Sequence, residues 1–506
     1  MNTWRQMIFK QFKIALILTV FSSGINFGCN SKEPQRASPN ILLIVSEDNS
    51  SDLGCYGNKL VHTPNLDKLS KNGVKFLNAY TTYAVCSPSR SSIFTGLYPH
   101  QNGQLGWATH YYALYSGIKV LPNYLKESGY RTGILGKVHV NPADRFDFDF
   151  SALPGSNFQK ENLKDYAIQA KKFVNQSENP YFLMVNLPDA HLPFQNEVEG
   201  LPTHKVDRNN IKETLPFVGV NNERLLDQTE AYYNCMNRLD ESIGMLLDSL
   251  GDMSNTCIIY LSDHGAQFSR GKLTNYEGGL KIPFIISYPE VIKETGSSKD
   301  ELISVIDILP TVLDLAGISG DFNFPGRSLM DLFTKDGDVT SWRTYLGADG
   351  EGASPVFYYP RRSIRGERYK LIQNIDVGRG EFPAFSAYAD PDFGSGATIE
   401  EIAASDERIR QAYERWRKPS EWELYDLQED PWEFENLADK PELETVLVYM
   451  KEALLAWRRD TNDPFLSADK LRNYTFEMDS INNLYPDHSY RKVEGFKWDY
   501  LDYLNN

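Results

Sequence analysis

Five cysteines are spread over the 506 residues, and one of them lies among several other reactive side chains. Cys86 begins the run Cys-Ser-Pro-Ser-Arg, which ends at Arg90, and Thr95-Gly96 follow in the stretch CSPSRSSIFTGLYPH. A single cysteine next to a turn is more often a buried structural residue than a reactive one. Here a thiol, hydroxyls, a proline and a guanidinium must all match at fixed spacing, so the segment is far more specific than its cysteine alone.

Two pairs of polar residues follow apolar runs that are typical of strands. Glu47 and Asp48 come after NILLIV, and Asp263 and His264 come after TCIIYL. A strand end that merely reaches solvent often carries such residues. Three carboxylates brought together would repel one another unless a cation held them, and a hard divalent ion with oxygen ligands meets that need. Two such pairs at two strand ends favour a metal site.

Basic residues follow other apolar runs in the same way. They are Lys137 and His139 in GKVH, His191 in DAH, and Lys272 in RGKLTNYEGG. Each of them alone is more often a surface charge or a histidine that is already hydrogen-bonded. As an ordered set, they would supply positive charge and proton-transfer groups to one site.

These polar residues are positioned by an alternation of predicted strands and helices. The predicted strands are 40–45, 131–135, 181–186, 256–261 and 281–288, and the predicted helices are 121–128, 222 to about 250, and 305–316, which Pro310 interrupts. Continuous apolar runs are typical of strands that are buried on both faces. The pattern predicts an α/β fold with a mainly parallel sheet and helices on both faces. Ligands of such folds bind beyond the carboxyl ends of the strands.

The character of the sequence changes after about residue 338. We expect a catalytic domain over 40–337 and a smaller C-terminal α+β domain over 338–506, because the chain is longer than one hydrophobic core usually supports. Short strands are predicted at 368–372 and 422–427, and an amphipathic helix at 442–459. A chain of this length does not depend on disulfides for its stability, so we expect no essential one.

The first 29 residues are predicted to be a signal peptide. Basic residues precede an apolar run at 14–21, which is too short to be assigned as a membrane span. Gly28-Cys29 resembles the end of a lipobox, in which the cysteine is lipidated, but Asn26 and Phe27 suit a lipobox poorly and ordinary cleavage nearby remains an alternative. Residues 30–39 have the composition of a linker. We expect an exported bacterial protein, periplasmic or at the outer-membrane surface, with a lipid on Cys29 as its only membrane attachment.

The segment from Cys86 to Gly96 resembles the C-x-P-S-R…T-G signature of type I sulfatases. In that family an accessory formylglycine-generating enzyme oxidises the cysteine to formylglycine, whose hydrated aldehyde is the nucleophile. The resemblance covers nearly the whole mature chain, including TPNLDKLSKNG (63–73), LPNYLKESGYRTGILGK (121–137), SDHG, NYEGG, DILPTVLDLAGI and WELYDLQEDPWEFENLAD (422–439). It implies an alkaline-phosphatase-like fold and one bound Ca²⁺.

The resemblance implies a role for each polar residue. The implied catalytic set is Cys86 as formylglycine, Arg90, Lys137, His139, His191 and Lys272. Arg90 would orient the formylglycine, Lys137 would contact sulfate, and His139 would take a proton from the formylglycine hydroxyl so that sulfate is expelled. His191 and Lys272 would bind sulfate and protonate the leaving group.

The implied calcium ligands are Glu47, Asp48, Asp263, His264 and the formylglycine made from Cys86. Two of these positions depart from the family pattern. Glu47-Asp48 stands where the family usually has Asp-Asp, and Asp263-His264 stands where it often has Asp-Asn. A longer Glu47 could reach the metal in a different denticity, and His264 would be either a ligand or a contact to the sulfate alone.

Several stretches look most like the heparan N-sulfatase (sulfamidase) branch, which acts on N-sulfated glucosamine. They include GKVHVNPADRFDFDF, RRSIRGERYKLIQNI and AWRRDTNDPF. The region from Asp263 to Lys272 is closer to O-sulfatases, since sulfamidase has an arginine where this chain has Lys272. Relatives of this kind also occur in marine bacteria that degrade sulfated algal polysaccharides such as ulvan.

We therefore expect a sulfatase that acts on an oligosaccharide derived from a sulfated polysaccharide, with sulfamidase activity as the alternative. A phosphatase or phosphonate hydrolase on the same scaffold and an inactive glycan-binding lipoprotein are less favoured. The formal net charge of −16 argues against a nucleic-acid partner, because phosphate contacts need a basic surface. The candidates for sugar contacts are His100, Gln101, His110, Arg361 and Arg362, which would equally suit solvated loops.

Overall fold

The computed structural model describes residues 38–155, 158, 160–334, 339 and 341–505. Residues 38–506 belong to one compact unit. The predicted signal peptide with Cys29, most of the predicted linker and the predicted domain boundary at 337/338 lie outside the described residues. Within the described part of the chain, no helix is long and apolar enough to cross a membrane.

The larger of two sheets has nine strands. They are β1 (Asn40–Ser46), β2 (Val74–Tyr80), β3 (Arg131–Leu135), β4 (Phe150–Ala152), β5 (Tyr181–Asn186), β6 (Thr256–Ser262), β7 (Lys281–Ser287), β8 (Ser297–Lys299) and β9 (Ile303–Ser304). Their order is β4-β3-β5-β1-β6-β7-β2-β8, with β9 also paired to β2. Five neighbouring strands of this sheet are parallel: β4, β3, β5, β1 and β6. β7 runs antiparallel to both β6 and β2. This architecture confirms the predicted mainly parallel sheet.

The smaller sheet lies in the C-terminal part of the chain and is antiparallel. Its strands, in order, are β10 (Leu346–Gly350), β11 (Arg361–Arg365), β12 (Tyr369–Asn374) and β13 (Trp422–Asp426). It agrees with the predicted C-terminal α+β region.

The chain forms fifteen α-helices in the described residues. They are α1 (Pro64–Lys71), α2 (Cys86–Thr95), α3 (Pro99–Asn102), α4 (Leu121–Glu127), α5 (Lys164–Val174), α6 (Glu223–Leu250), α7 (Glu277–Leu280), α8 (Ile308–Leu315), α9 (Met330–Thr334), α10 (Pro383–Ala389), α11 (Ile399–Ala403), α12 (Glu407–Arg417), α13 (Glu444–Asp460), α14 (Ala468–Leu484) and α15 (Tyr500–Tyr503). The predicted interruption at Pro310 is wrong. Pro310 lies in the first turn of α8, where a proline removes no intrahelical hydrogen bond.

Helices cover both faces of the large sheet, and β1 divides its side chains between two cores. Leu42 and Ile44 pack in a core that includes α1, α5 and α6. Ile41, Leu43 and Val45 pack in a second core that includes α2, α4 and α8. A strand that is apolar on both faces is what the continuous run in the sequence requires.

Adjacent parallel strands bring their carboxyl ends to the same edge of the sheet. β1 lies between β5 and β6, with Val45 opposite Asn186 and Ser46 opposite Ser262. The backbone N–H of Asp263 donates to Ser46 O at 3.1 Å, which continues this alignment past the strand ends. The polar residues that follow the strands therefore meet at one edge.

Candidate active site

Helix α2 begins at Cys86 and presents this residue to the edge of the large sheet. All ten residues of α2 are buried, and Cys86 itself is 2% exposed. Ser89 Oγ donates to the backbone oxygen of Asp263 at 2.5 Å, which fixes the first turn of the helix against the end of β6. Gly96 ends α2 in the left-handed region at φ 66°, as a C-terminal glycine commonly does.

Four of the predicted residues meet in a buried group that could hold a metal ion. Asp48, Cys86, Asp263 and His264 each place one potential ligand atom within 4.8 Å of the others. Cys86 Sγ lies 3.3 Å from His264 Nε2 and 3.8 Å from Asp48 Oδ1. The backbone N–H of Asp48 donates to Asp263 Oδ1 at 3.1 Å, so the two carboxylates are held side by side.

The charges of this group fit a cation. His264 Nδ1 lies 2.9 Å from the oxygen of Gly265, which directs Nε2 toward Asp48 Oδ1 at 3.2 Å. Burial opposes a charge on this imidazole, yet Asp263 and Asp48 raise the pKa of His264 to about 9. A positive charge between the carboxylates is thus favoured, and a metal ion would occupy the place of that proton with Nε2 and the carboxylate oxygens as ligands.

Glu47 lies slightly apart from the four-residue group. Its Oε2 accepts from Lys137 Nζ at 2.5 Å, and its Oε1 is 3.6 Å from Arg90 Nη2. Burial raises the pKa of Glu47, while Lys137 and Arg90 oppose this rise. Glu47 also places an oxygen near Asp48 and His191, within a second group of potential metal ligands.

Arg90 has one guanidinium nitrogen that makes no hydrogen bond within the protein. Its Nε donates to Asp263 Oδ2 at 3.0 Å and its Nη1 donates to Asn186 Oδ1 at 2.5 Å. The third nitrogen, Nη2, is buried without a hydrogen-bond partner and lies 3.6 Å from Glu47 Oε1, within ion-pair distance. An oxygen-rich group bound beside residue 86, whether a hydrated aldehyde or a sulfate, fits this nitrogen.

Lys272 connects the metal group to Cys86. Its Nζ donates to Asp48 Oδ2 at 2.7 Å and lies 3.4 Å from Cys86 Sγ. Burial disfavours the thiolate, but the ammonium groups of Lys272 and Lys137 lower the pKa of Cys86 below its ordinary value. Tyr388 from α10 donates its hydroxyl to the backbone oxygen of Lys272 at 3.1 Å, so the C-terminal region helps to position this lysine.

His139 and His191, the two histidines predicted to be catalytic, are half-buried and neutral. Burial, with Lys137 and Arg90 nearby, lowers the pKa of His139 well below its ordinary value. Burial also lowers the pKa of His191 to about 4 despite the opposing effect of Asp48. His139 Nδ1 is buried without a partner, and its backbone has φ 58°, a strained conformation of the kind that clusters at functional sites. His191 Nε2 lies 3.8 Å from Asp48 Oδ2.

Three of the predicted sugar contacts, His100, Arg361 and Arg362, have buried side chains with partners within the protein, and their assignment as sugar contacts stays a prediction. His100 contacts Asp349 through Nδ1 at 2.8 Å and the backbone oxygen of Thr461 through Nε2 at 3.2 Å. Arg362, a β11 residue, pairs with the carboxylates of Asp349, Glu351 and Asp463.

Arg361, also on β11, supports the backbone that follows Lys272. Its Nη2 donates to the backbone oxygen of Leu273 at 2.8 Å, and its guanidinium lies over the ring of Phe382 at 4.1 Å. The sequence reading of Gln101 and His110 as sugar contacts stays a prediction. Gln101 Oε1 accepts from Tyr98 N at 3.1 Å, and burial lowers the pKa of His110 to about 3.

Sequence reasoning missed two residues that hold the site together. Asn186 is the last residue of β5; it accepts from Arg90 and donates its Nδ2 to the backbone oxygen of Leu135 at 3.1 Å. Asp189 pairs with the buried Arg238 at 2.9 and 2.7 Å, and its backbone oxygen accepts from Glu47 N at 2.9 Å. Their position at the end of β5 was the available signal.

A family model for sulfatases matches residues 39–318. The chain belongs to the sulfatase family. A second model, described as the C-terminal region of N-sulphoglucosamine sulphohydrolase, matches residues 267–392. The chain is therefore a sulfatase-type hydrolase, which confirms the recognition made from the signature around Cys86.

Two curated relatives cover most of this sulfatase. The human protein named N-sulphoglucosamine sulphohydrolase is 30% identical over 86% of this chain and 92% of its own length. A protein of Formosa agariphila named ulvan-active sulfatase is 30% identical over 89% of this chain and 87% of its own length. A solved structure of a protein in complex with its substrate D-glucosamine-2-N,6-O-disulfate has a TM-score of 0.62 at 20% identity. The match covers 84% of this chain and 98% of that one, which shows a shared fold.

Proposed function

We propose that this sulfatase is exported and hydrolyses sulfate groups from a sulfated carbohydrate, using a formylglycine made from Cys86 and one bound Ca²⁺. The observation that carries the proposal is the convergence of Cys86, Arg90, Lys137 and Lys272 beside the paired carboxylates of Asp48 and Asp263. Such a site combines a reactive residue 86 with a cation site and a cluster of fixed positive charges.

The charge of the site supports a cation and an anion bound together. Three carboxylates, those of Glu47, Asp48 and Asp263, face three permanent cations, those of Arg90, Lys137 and Lys272. Once a metal ion takes the place of the proton on His264, these protein groups balance one another. A divalent ion and the doubly negative sulfate product would add no net charge to a buried site, where unbalanced charge is costly.

The hydrated aldehyde at residue 86 would supply the nucleophilic hydroxyl, and Ca²⁺ would supply positive charge to the oxygens around it. Asp48, Asp263 and His264 would hold the ion. Arg90 would direct Nη2, which makes no hydrogen bond within the protein, at residue 86 or at a sulfate oxygen. Lys137 and Lys272 would neutralise the sulfonyl oxygens as negative charge builds on them, in a buried place where fixed charges act strongly.

His139 and His191 would move the protons. His139 is neutral because burial lowers its pKa, so it can accept a proton from the hydroxyl at residue 86. His191 is also neutral, and the negative charge of a bound sulfate would raise its pKa and allow it to take up the proton that the leaving oxygen needs. Lys272 would assist as a second donor near that oxygen.

A sulfated oligosaccharide from a polysaccharide is the substrate class that we favour. The relative from Formosa agariphila is named for activity on ulvan, which supports O-sulfated algal material. N-sulfated glucosamine is the second candidate. The match to the C-terminal model of N-sulphoglucosamine sulphohydrolase over residues 267–392 and the human relative of that name support it.

Maturation and location complete the proposal. A formylglycine-generating enzyme would be the maturation partner, and a signal peptide would direct the chain to the periplasm or the cell surface. A lipid on Cys29 would anchor the protein there. Fractionation of cells that express the wild type and Cys29→Ala would test the anchor, since only the wild type should appear in the membrane fraction; an equal distribution would refute it.

The decisive experiment measures sulfate release by ion chromatography after coexpression with a formylglycine-generating enzyme. The substrates are N-sulfated glucosamine saccharides and O-sulfated ulvan oligosaccharides, with a phosphate monoester as the test for the phosphatase alternative. Release from the O-sulfated set supports the favoured substrate, and release from the N-sulfated set alone identifies a sulfamidase. Cys86→Ala is the control, and full turnover by this variant would refute the formylglycine mechanism.

A further inference from the structure

The segment 485–498, called here the C-terminal strap, packs on a loop that follows α3. This loop, residues 107–112, binds the strap at several points. Trp498 Nε1 donates to the backbone oxygen of His110 at 2.8 Å, and the hydroxyl of Tyr111 donates to the backbone oxygen of Arg491 at 2.6 Å. The hydroxyl of Tyr490 is hydrogen-bonded to His110 Nδ1. The strap is thus fixed in place on the loop.

The same loop contacts sequence neighbours of two catalytic residues. The backbone N–H of Ala108 donates to the hydroxyl of Ser87, the residue next to Cys86, at 2.9 Å. Asn141, two residues after His139, donates its Nδ2 to the backbone oxygen of Ala108 at 2.8 Å. The loop 107–112 therefore lies between the C-terminal strap and the segments that carry Cys86 and His139.

Arg491 is a strap residue whose side chain is both exposed and held in place. Its Nε donates to the backbone oxygen of Thr109 at 2.9 Å, which fixes the direction of the guanidinium. Among the described residues, no carboxylate lies within ion-pair distance of Arg491, and the side chain is exposed. The ring of Tyr111, 39% exposed, lies on the loop beside it. In the part of the chain that the structure describes, the guanidinium of Arg491 donates a hydrogen bond through Nε alone. Its other two nitrogens can therefore donate to a ligand.

An exposed cation with a fixed direction matters for glycan binding here because the chain as a whole is acidic. The chain carries a formal net charge of −16, which repels a polyanionic glycan except where local cations offset it. A guanidinium that one hydrogen bond already orients loses little freedom when it binds an oxyanion through its remaining fork.

We propose that Arg491 determines specificity by binding an acidic group, a carboxylate or a second sulfate, on the sugar adjacent to the one that loses sulfate. The inference rests on the proposed function, because it needs a glycan in the active site. It assigns the C-terminal strap a direct part in the choice of substrate.

The test compares Arg491→Gln with Lys492→Gln, a matched control that removes the same charge from the next residue. Both are assayed for kcat and KM on a sulfated disaccharide that has a uronate beside the sulfated sugar, and on the same disaccharide after carboxyl reduction. A disaccharide with and without a second sulfate forms the other arm. Arg491→Gln should raise KM about tenfold for the substrate that carries the recognised acidic group, with kcat unchanged. The KM of Arg491→Gln for the disaccharide without that group should match the wild-type value. Lys492→Gln should match the wild type in kcat and KM on every substrate.

A binding measurement separates failure of this inference from failure of the proposed function. Calorimetry with the Cys86→Ala protein, with and without Arg491→Gln, reports the affinity for the same disaccharides when no turnover occurs. The inference about Arg491 would be overturned, without affecting the proposed function, by either of two results. One is that Arg491→Gln leaves affinity and KM unchanged, and the other is that Lys492→Gln loses as much affinity as Arg491→Gln. If the mature wild type releases no sulfate and no disaccharide binds to Cys86→Ala, both the function and the inference are refuted.

Discussion

Replacement of Arg90 by lysine tests whether the guanidinium acts through its shape as well as its charge. Lysine keeps one positive charge but has a single nitrogen, so it cannot contact Asp263 and Asn186 and also direct a donor at residue 86. Loss of the hydrogen bond to Asn186 should lower the free energy of unfolding by about 1.5–3 kcal/mol. Loss of the donor at Nη2 should lower kcat by about 100- to 1,000-fold, as for removal of one donor that stabilises transition-state charge.

The assay for Arg90→Lys measures sulfate release together with the fraction of residue 86 that is converted and the fraction of protein that is folded, because a change in either fraction would alter the apparent rate. Mass spectrometry of the peptide that contains residue 86 gives the converted fraction, because Arg90 lies in the signature and its loss could prevent maturation. Thermal unfolding gives the folded fraction. Rates are then expressed per converted, folded molecule.

Arg362→Lys is the matched control for this experiment. Arg362 is as deeply buried as Arg90 and also pairs with carboxylates, but it contacts none of the residues of the active site. It should lose stability and keep kcat within about threefold, since no transition-state contact is removed. If Arg90→Lys retains a normalised kcat within the same range, Arg90 Nη2 has no role in the reaction and our interpretation of it is wrong.

Three further predictions concern other parts of the chain. His139→Gln should lower kcat by about 100-fold or more with little change in stability, because it removes the proton acceptor; kcat near the wild-type value would exclude that role. Treatment with a chelator should abolish sulfate release and added Ca²⁺ should restore it, whereas full activity of metal-stripped protein would argue against the cation. Burial raises the pKa of Asp240 to about 6 against about 3.9 when unfolded, so its contribution to stability falls as pH rises from 4 to 6. The free energy of unfolding of Asp240→Asn, measured by chemical unfolding, should therefore increase by about 2–3 kcal/mol relative to that of the wild type as pH rises from 4 to 7. A difference between the two proteins that does not change with pH would contradict the assignment.

The strand-end rule explains why much of the site could be predicted. Glu47, Asp48 and Asp263 follow β1 and β6, and adjacent parallel strands must bring such residues together whatever the loops do. Lys137 follows β3 in the same way. The fold class followed from the same apolar runs, because strands buried on both faces leave a continuous pattern in the sequence.

Residues that depend on long-range partners could not be predicted. Arg362 and His100 resemble solvated loop residues in the sequence, since only the folded chain brings Asp463, Asp349 and Thr461 to them. Asn186 lies at a predicted strand end, but its role arises from Arg90, 96 residues away. The C-terminal strap meets its loop across about 380 residues of chain, a separation at which no local pattern remains.

The burial of α2 limits when the proposed oxidation of Cys86 could take place. An oxidising enzyme cannot bind Cys86 in the finished protein, since the thiol and the whole helix after it are covered. Part of that cover comes from His264, which lies 178 residues further along the chain. Under the proposed function, Cys86 would therefore have to be oxidised while the chain is still being made or before it closes. The yield of active enzyme would then depend on a race between folding and oxidation, and a variant that folds faster would contain less converted residue 86.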